Sequence, residues 1–326
     1  MADAWWYSFV SCVSPLKAFW TSRSRDSITF DLNKSATRIS FALPCGRCIG
    51  CRMEKARQWG LRCVHEAKAW PANFFVTLTY SDEFLPPGGT VCLRDVQLFM
   101  KRLRKAKNSS ASNPVRFFLG AEYGDVNLRP HYHALLFNVD FPDRVFLAHN
   151  ERGDPVFTSG ELSRLWSADG GKTTLGFCSL GAVTFESAVY CAKYALKKLT
   201  VSDSSPPEIR DRYEQRYIVY DADGIVHERA REFAIMSRRP GIGSYYYDKY
   251  HEELLAHDSV VVDGKEVKPP RFYDLRSDAR SADRFAQLKA IRKRQAVLNR
   301  GDNTPERLRV KETLLTIAAT QKERKL

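Results

Sequence analysis

Two histidines separated by one residue, His131 and His133, give this sequence its first sign of chemistry. The surrounding segment HYHALLF predicts a β-strand, and residues two apart on a strand point to the same face of a sheet. Glu122, nine residues before His131, lies on the strand expected to pair with it, where its carboxylate can supply a third ligand. Two imidazoles and a carboxylate suit a divalent ion such as Mg²⁺ or Mn²⁺. A His-x-His pair also occurs on protein surfaces without a ligand, and the pair alone leaves that alternative open.

Two tyrosines, Tyr190 and Tyr194, lie in a segment predicted to be a helix over residues 185–199. Residues four apart share one face of a helix, so both phenols are presented together. Lys197 shares that face, and Lys193 lies at its flank. A lysine near a phenol can lower the phenol pKa or bind a phosphate. The pattern predicts paired phenol nucleophiles with nearby cations, although two tyrosine rings packed by an amphipathic helix would have the same spacing.

Three cysteines with the spacing C-x-x-C-x-x-C form a cluster of soft ligands at Cys45, Cys48 and Cys51. Thiolates bind Zn²⁺ in four-coordinate structural sites, and the expected fourth ligand is Cys63 or His65. Free thiols with a packing role are the alternative. The other four cysteines are expected to be small packing residues: Cys12, Cys92, Cys178 and Cys191.

The elements that must position these residues alternate between strands and helices. Strands are predicted at residues 74–80, 115–123, 132–139 and 177–180. Helices are predicted at residues 52–69, 91–107 and 161–166, in addition to the one that carries the tyrosines. The two middle strands should pair as an antiparallel hairpin. The pattern predicts an α+β domain in which helices cross an antiparallel sheet.

The chain after residue 200 contains turns and helices. Hairpins are predicted at Asp223-Gly224 and at Asp263-Gly264, and helices at residues 245–255, 276–298 and 304–324. The expected regions are an N-terminal region with the cysteines, a core, accessory hairpins with a tyrosine-rich helix, and a basic helical tail, at residues 1–70, 71–200, 201–275 and 276–326.

The charge is strongly basic, with 51 Lys and Arg against 38 Asp and Glu and a net charge of +13. Residues 271–326 contain fifteen basic and seven acidic side chains. A basic excess of this kind indicates a polyanionic partner, of which nucleic acid is the leading candidate. No apolar run is long enough for a membrane span, and no export signal is convincing, so a cytoplasmic location is expected.

Three segments, FFVTLTY, HYHALLF and YCAKYALKK, follow one another between residues 74 and 198. This combination resembles the HUH endonucleases, and more narrowly the rolling-circle replication initiators of small single-stranded DNA phages, the microviruses of the gokushovirus type. PCGRCIGCR at 44–52 and MSRRPGIG at 236–243 also resemble that group. The resemblance implies a ferredoxin- or RRM-like antiparallel sheet flanked by helices, with a basic helical C-terminal extension.

The resemblance also implies a reaction. In that family the His pair, here His131 and His133, holds a divalent ion that polarises the scissile phosphodiester. A tyrosine, here Tyr190 or Tyr194, attacks it and forms a 5′-phosphotyrosyl link and a free 3′-OH, and a later step rejoins the DNA. The partners implied are single-stranded DNA at a replication origin and a host helicase and polymerase, in the cytoplasm of an infected bacterium. Tyr132 should face the opposite side of the sheet.

Two other functions stay open at this point. One is a non-catalytic, zinc-containing nucleic-acid-binding protein in which the basic tail binds the nucleic acid. The other is an HUH relaxase or transposase, which shares the chemistry and differs in biological role. Covalent attachment to a cleaved oligonucleotide separates the enzymes from the binding protein.

Overall fold

The computed structural model describes residues 12–24, 27–194, 206–221, 223–298 and 300–323. Its strands are β1 Leu16–Trp20, β2 Ile28–Thr29, β3 Ser40–Leu43, β4 Asn73–Thr79, β5 Arg116–Tyr123, β6 Pro130–Phe137, β7 Val145–His149, β8 Pro155–Thr158, β9 Cys178–Gly181, β10 Ile218–Tyr220, β11 Val226–Glu228, β12 Ala234–Met236, β13 Val260–Val262 and β14 Lys265–Val267. Its helices are α1 Ile49–Ala67, α2 Leu93–Ala106, α3 Gly160–Leu165, α4 Phe185–Tyr194, α5 Pro207–Tyr217, α6 Ser244–His257, α7 Arg271–Arg280, α8 Ala282–Leu298 and α9 Pro305–Glu323. The α+β class is confirmed.

A seven-stranded sheet with the order β12-β5-β6-β4-β9-β8-β7 forms the centre of the largest unit. The β5–β6 and β6–β4 pairs are antiparallel, which confirms the predicted hairpin. In this register Glu122 on β5 lies opposite His131 on β6, and Thr77 on β4 lies opposite His133. The three strands around the candidate metal ligands are thus adjacent within the sheet.

One face of this sheet packs on α2. The apolar side of α2 is fully buried, as the sequence periodicity predicts, and joins alternating strand residues such as Leu78 and Leu119 in one core. Tyr132 belongs to this face, where its hydroxyl accepts a hydrogen bond from the Cys92 backbone N–H and lies 3.1 Å from the Tyr80 hydroxyl. The expectation that Tyr132 points away from the two histidines is therefore confirmed.

The opposite face of the sheet is covered by α4 and by the second half of α1. Trp59 of α1 lies against Phe118 of β5, with the ring centroids 5.0 Å apart. Gly120 of β5 allows α4 to approach closely, since a Cβ atom at this position would lie 2.9 Å from the backbone oxygen of Cys191. A glycine in the strand therefore determines how near α4 comes to the sheet.

The chain divides into two compact units. One unit is Gln58–His251 and contains the seven-stranded sheet. The other combines the described parts of Met1–Arg57 and Glu252–Leu326, with a small β2-β1-β3 sheet, the β13–β14 hairpin and α7 to α9. Among the described residues, no helix has the length and apolar character needed to cross a membrane.

The prediction of one helix over residues 276–298 is wrong, because α7 ends at Arg280 and α8 begins at Ala282. Arg292 of α8 forms ion pairs with Asp274 of α7 and with Asp258. Residues eighteen apart in one straight helix would be separated by about 27 Å, so the Arg292–Asp274 pair requires the chain to turn back. The hairpins predicted at Asp223-Gly224 and Asp263-Gly264 are confirmed as β10–β11 and β13–β14.

Candidate active site

His133 is held on the sheet by two neighbouring side chains. Its Nε2 atom lies 2.8 Å from Oε1 of Glu122, and its Nδ1 atom lies 3.1 Å from Oγ1 of Thr77. His133 and Glu122 are 7% and 4% exposed. A carboxylate only accepts hydrogen bonds, so without a cation Nε2 carries the proton and donates it to Glu122. With a cation bound between Nε2 and Glu122, the proton would lie on Nδ1 and be donated to Oγ1 of Thr77. The ring orientation of His133 is therefore fixed from both sides.

His131 is oriented by the backbone. Its Nδ1 atom is 2.8 Å from the Arg129 carbonyl oxygen, which can only accept, so Nδ1 carries the proton and Nε2 has a lone pair for a metal ion. Burial lowers the pKa of His131, and the neighbouring His133 lowers it further. The neutral form, which is the form that binds metals, is therefore favoured at His131.

The donor set of His131, His133 and Glu122 fits a divalent cation by its chemistry, since imidazole nitrogens and a carboxylate oxygen suit Mn²⁺ and, with water, Mg²⁺. The His131 and His133 rings are parallel with their centroids 6.4 Å apart, and the three ligand atoms do not all lie within 4.8 Å of one another.

Tyr190 of α4 lies beside His133. The two rings meet edge to face with their centroids 5.1 Å apart, and Phe75 contacts both rings. The Cys191 thiol donates a hydrogen bond to the His133 carbonyl oxygen at 3.0 Å, which joins α4 to β6 at this point. The structure thus brings the ring of one candidate nucleophile next to one candidate metal ligand, His133.

The structure describes the other residues predicted on this helix only in part. Lys193 lies half-buried in the last turn of α4. Tyr194 is the last residue of α4 that the structure describes, and its side chain is outside the described part. Lys197 lies outside the described residues. Their roles stay predictions.

Two side chains that touch His133 were not among the predicted site residues, Thr77 and Phe75. Both lie on β4, within the segment FFVTLTY. Alternation along that strand places Phe75, Thr77 and Thr79 on one face and Val76 and Leu78 on the other. Since the second set is fully buried in the core, the same alternation could have assigned the first set to the site.

The cysteine cluster has a fourth member that the sequence pattern assigned to a packing role. The sulfur atoms of Cys12, Cys45, Cys48 and Cys51 all lie within 4.8 Å of one another, so the group can hold a metal ion such as zinc. Cys63 and His65, the expected fourth ligands, do not belong to this group. Cys63 is twelve residues beyond Cys51 on the same helix, which separates them by about 18 Å. His65 is buried and stacks on Tyr246 with the ring centroids 3.7 Å apart.

The known proteins to which this chain is similar are replication-associated proteins. A family model of replication-associated proteins, described by the name ORF2, matches residues 73–199, which include the strands and the helix of the candidate site. The replication-associated protein VP4 of Bdellovibrio phage phiMH2K is 32% identical over 268 residues, 80% of this chain and 75% of the relative. The replication-associated protein ORF2 of Spiroplasma virus 4 is 32% identical over 284 residues, 84% and 79% of the two chains.

A third relative has a lower sequence identity and also carries the description of a replication-associated protein. The replication-associated protein ORF4 of Chlamydia phage 1 is 25% identical over 252 residues, which cover 75% of this chain and 56% of the relative. No solved structure matches the chain.

Proposed function

The chain belongs to the phage replication-associated proteins, and on this premise we propose that it initiates rolling-circle replication by nicking and rejoining one DNA strand. The observation that carries the proposal is the contact between Tyr190 and His133, which also binds Glu122. A phenol next to one imidazole, with a second imidazole two residues along the strand and a carboxylate on the paired strand, is a combination that suits tyrosine attack on a phosphodiester.

The proposed nicking step exchanges one phosphodiester bond for another, so the energy of the DNA bond is kept and is not lost to hydrolysis. The phenol oxygen of Tyr190, or of Tyr194, attacks the scissile phosphorus and forms a new O–P bond to the 5′ end. The bond between phosphorus and the 3′ oxygen breaks. The phenol loses its proton to water, and the 3′ oxygen takes a proton to become the 3′-OH. The rejoining step is the reverse attack, by a 3′-OH on the phosphotyrosine.

The candidate ligands prepare the site for this reaction. His131, His133 and Glu122 would hold Mg²⁺ or Mn²⁺, which would polarise the phosphodiester when bound. His131 is kept neutral by its burial and oriented by the Arg129 carbonyl. Thr77 orients His133 in the way that second partners of metal-binding histidines do.

The proposed partners follow from the reaction and the charge. Single-stranded DNA at a replication origin is the substrate, and the net charge of +13 favours its binding. Lys193 and Lys197 are proposed to lie near the phosphate on the helix that carries the nucleophile. A host helicase would separate the strands, and a host polymerase would extend the 3′-OH that the nick leaves.

The test is a covalent adduct assay with the full chain. Labelled single strands that tile the phage genome are incubated with protein and Mn²⁺ or Mg²⁺, and adducts are measured on a denaturing gel. We expect His131→Ala and His133→Ala to reduce adduct formation by about 100-fold or more, because several kcal/mol of transition-state stabilisation is lost. DNA retention in a gel shift should stay close to that of the wild type, since basic side chains supply most of it.

The matched control is His149→Ala, which removes an exposed histidine on β7 and should leave adduct formation unchanged. EDTA should abolish adduct formation in the wild type, and added Mn²⁺ should restore it. Adducts formed by His133→Ala at the wild-type rate would contradict the proposal. A chain that binds DNA and forms no adduct with any strand would instead be a binding protein.

A further inference from the structure

We propose that Cys12, Cys45, Cys48 and Cys51 together bind one zinc ion, and that this ion fastens α9 to the N-terminal part of its unit. The four sulfur atoms all lie within 4.8 Å of one another, and Sγ of Cys12 is 3.8 Å from Sγ of Cys48. A tetrahedral zinc site with Zn–S bonds of about 2.3 Å has sulfur atoms about 3.8 Å apart. The spacing of the thiols therefore matches a tetrathiolate site. This inference does not depend on the nicking reaction.

The backbone around the cysteines is folded to support thiolates. The N–H groups of Cys48 and Cys51 each donate to the sulfur atom three residues earlier, at 3.3 Å and 3.4 Å. The N–H group of Cys45 donates to Sγ of Cys12 at 3.3 Å, across 33 positions of the sequence. Hydrogen bonds of this kind orient metal ligands and stabilise their charge. Two successive turns and a distant segment thus direct their sulfur atoms to one point.

All eight cysteines are free thiols in the structure, since none forms a disulfide.

The ligands flank a small hydrophobic cluster that holds α9. Val13 follows Cys12, Met53 lies two residues after Cys51, and both pack on Leu315 of α9. Cys48 itself is partly buried against this cluster. Among the residues that the structure describes, this cluster has three buried apolar side chains, and a small core gains stability from an additional link such as a structural metal ion. Zinc would keep Val13 and Met53 together, and so preserve the surface on which Leu315 packs.

The first experiment measures zinc in the full chain, purified under reducing conditions and dialysed against a weak chelator. We expect one zinc ion per chain in the wild type and none in Cys12→Ser. The matched controls are Cys63→Ser and Cys92→Ser, which should keep their zinc. Retention of zinc by Cys12→Ser, or its loss from Cys63→Ser, would overturn the assignment of the fourth ligand.

A measurement without any variant covers the case in which Cys12→Ser does not fold. Co²⁺ exchanged into the wild-type chain should give the visible absorption that is typical of tetrahedral cobalt bound by four thiolates. Absence of both zinc and this spectrum, with all the thiols reactive, would overturn the site.

The second experiment tests the role of the ion. Zinc removal should increase amide hydrogen exchange in α9 and leave exchange in β4, β5 and β6 unchanged. Leu315→Ala should increase exchange in α9 to a similar extent while the chain keeps its zinc. Unchanged exchange in α9 after zinc removal would show that the ion does not fasten this helix.

Discussion

His133 has contacts of three kinds, and each restricts its position. Glu122 binds Nε2, Thr77 binds Nδ1, and the Cys191 thiol binds the backbone oxygen. The Tyr190 ring then meets the imidazole edge to face. Because these contacts join three strands and one helix, a small shift of any of these elements changes the distance between the candidate nucleophile and the candidate ligands.

The two tyrosines of α4 should be separable by substitution. We expect Tyr190→Phe and Tyr194→Phe each to leave partial nicking on a short single strand and to damage joining, which needs one tyrosine occupied and one free. The double variant should form no adduct. Phenylalanine keeps the ring that packs on His133 and Phe75, so a loss of activity can be assigned to the hydroxyl. Adduct formation and strand joining are measured on denaturing gels.

The control for the tyrosine series is Tyr220→Phe, which changes a tyrosine that is 70% exposed on β10. One single variant without activity and another with normal nicking and joining would indicate a one-tyrosine mechanism. Tyr80, Tyr123 and Tyr132 are poor substitutes as nucleophiles, because burial raises the pKa of each hydroxyl. Tyr132 and Tyr80 also lie on the sheet face opposite the histidines.

At the scale of elements, the packing of α4 on β5 depends on Gly120, which has no side chain. Gly120→Ala would place a methyl group 2.9 Å from the Cys191 backbone oxygen, and that atom can move only with the helix. We expect nicking to fall by about 10- to 100-fold, because misplacement of a reacting group by about 1 Å has effects of this size. The overpacked site should also lower the free energy of unfolding by about 1–3 kcal/mol. Adduct assays and urea denaturation measure the two effects.

A matched glycine in the same sheet serves as the control. A Cβ atom at Gly181 of β9 meets only Phe75, at 4.0 Å, which is an ordinary contact. Gly181→Ala should therefore keep most of its nicking activity. Equal activity in the two variants would mean that the position of α4 does not limit the reaction.

The stacking of α1 on α6 should make stability depend on pH. Burial lowers the pKa of His65 to about 3, and nearby Lys68 adds to the effect. Between pH 6.5, the ordinary value for histidine, and pH 3, the unfolded chain binds a proton at this residue that the folded chain does not. As the pH decreases through this range, the free energy of unfolding should therefore decrease, by up to about 1.4 kcal/mol per pH unit from this residue.

His65→Phe keeps a ring for stacking on Tyr246 and removes the titrating group. Urea unfolding at several pH values should show a weaker pH dependence for this variant than for the wild type. Identical pH dependences would exclude His65 as a source of the acid sensitivity.

Much of the element structure near the site follows from local sequence patterns. Alternation predicts β4, β5 and β6, and places His131 and His133 together on one face. The strands that the sequence patterns do not predict lack such a signal, since the five residues of β7 are all exposed and β12 has only three residues. These short strands form because neighbouring strands are already in place.

The sequence pattern does not predict Cys12 as the fourth ligand, because its position depends on the pairing of two strands. Leu16 of β1 pairs with Leu43 of β3, which brings the segments before β1 and after β3 side by side. Cys12 and Cys45 lie in those segments. Their proximity depends on a strand pair that no spacing within residues 45–65 reveals, so the motif alone suggested partners further along the same helix.

In the whole molecule, residues 271–326 hold a net charge of +8, fifteen basic minus seven acidic side chains, out of the total of +13. Neutralising three exposed basic residues there should weaken single-stranded DNA binding and flatten its salt dependence, by about 0.7 in the log–log slope for each phosphate that the variant no longer neutralises. The variant changes these residues to Gln: Lys293, Arg294 and Arg309. Filter binding over a range of salt concentrations measures the slope.

The control removes three exposed basic residues from α2, also by change to Gln: Lys101, Arg104 and Lys105. This variant has the same net charge as the first and should keep a steeper slope. Equal slopes would show that DNA responds to total charge and makes no particular contact with the C-terminal helices.

The sheet order has a consequence for the chain as it leaves the ribosome. β5 lies between β6 and β12, but β12 is synthesised about 110 residues after β5. At about 5–20 residues per second, roughly 6–20 s pass before that strand exists. During this time the nascent chain displays an open, largely apolar strand edge at β5, which is a site for aggregation or chaperone binding. Production of this protein in a host cell should therefore depend on chaperones that act during translation.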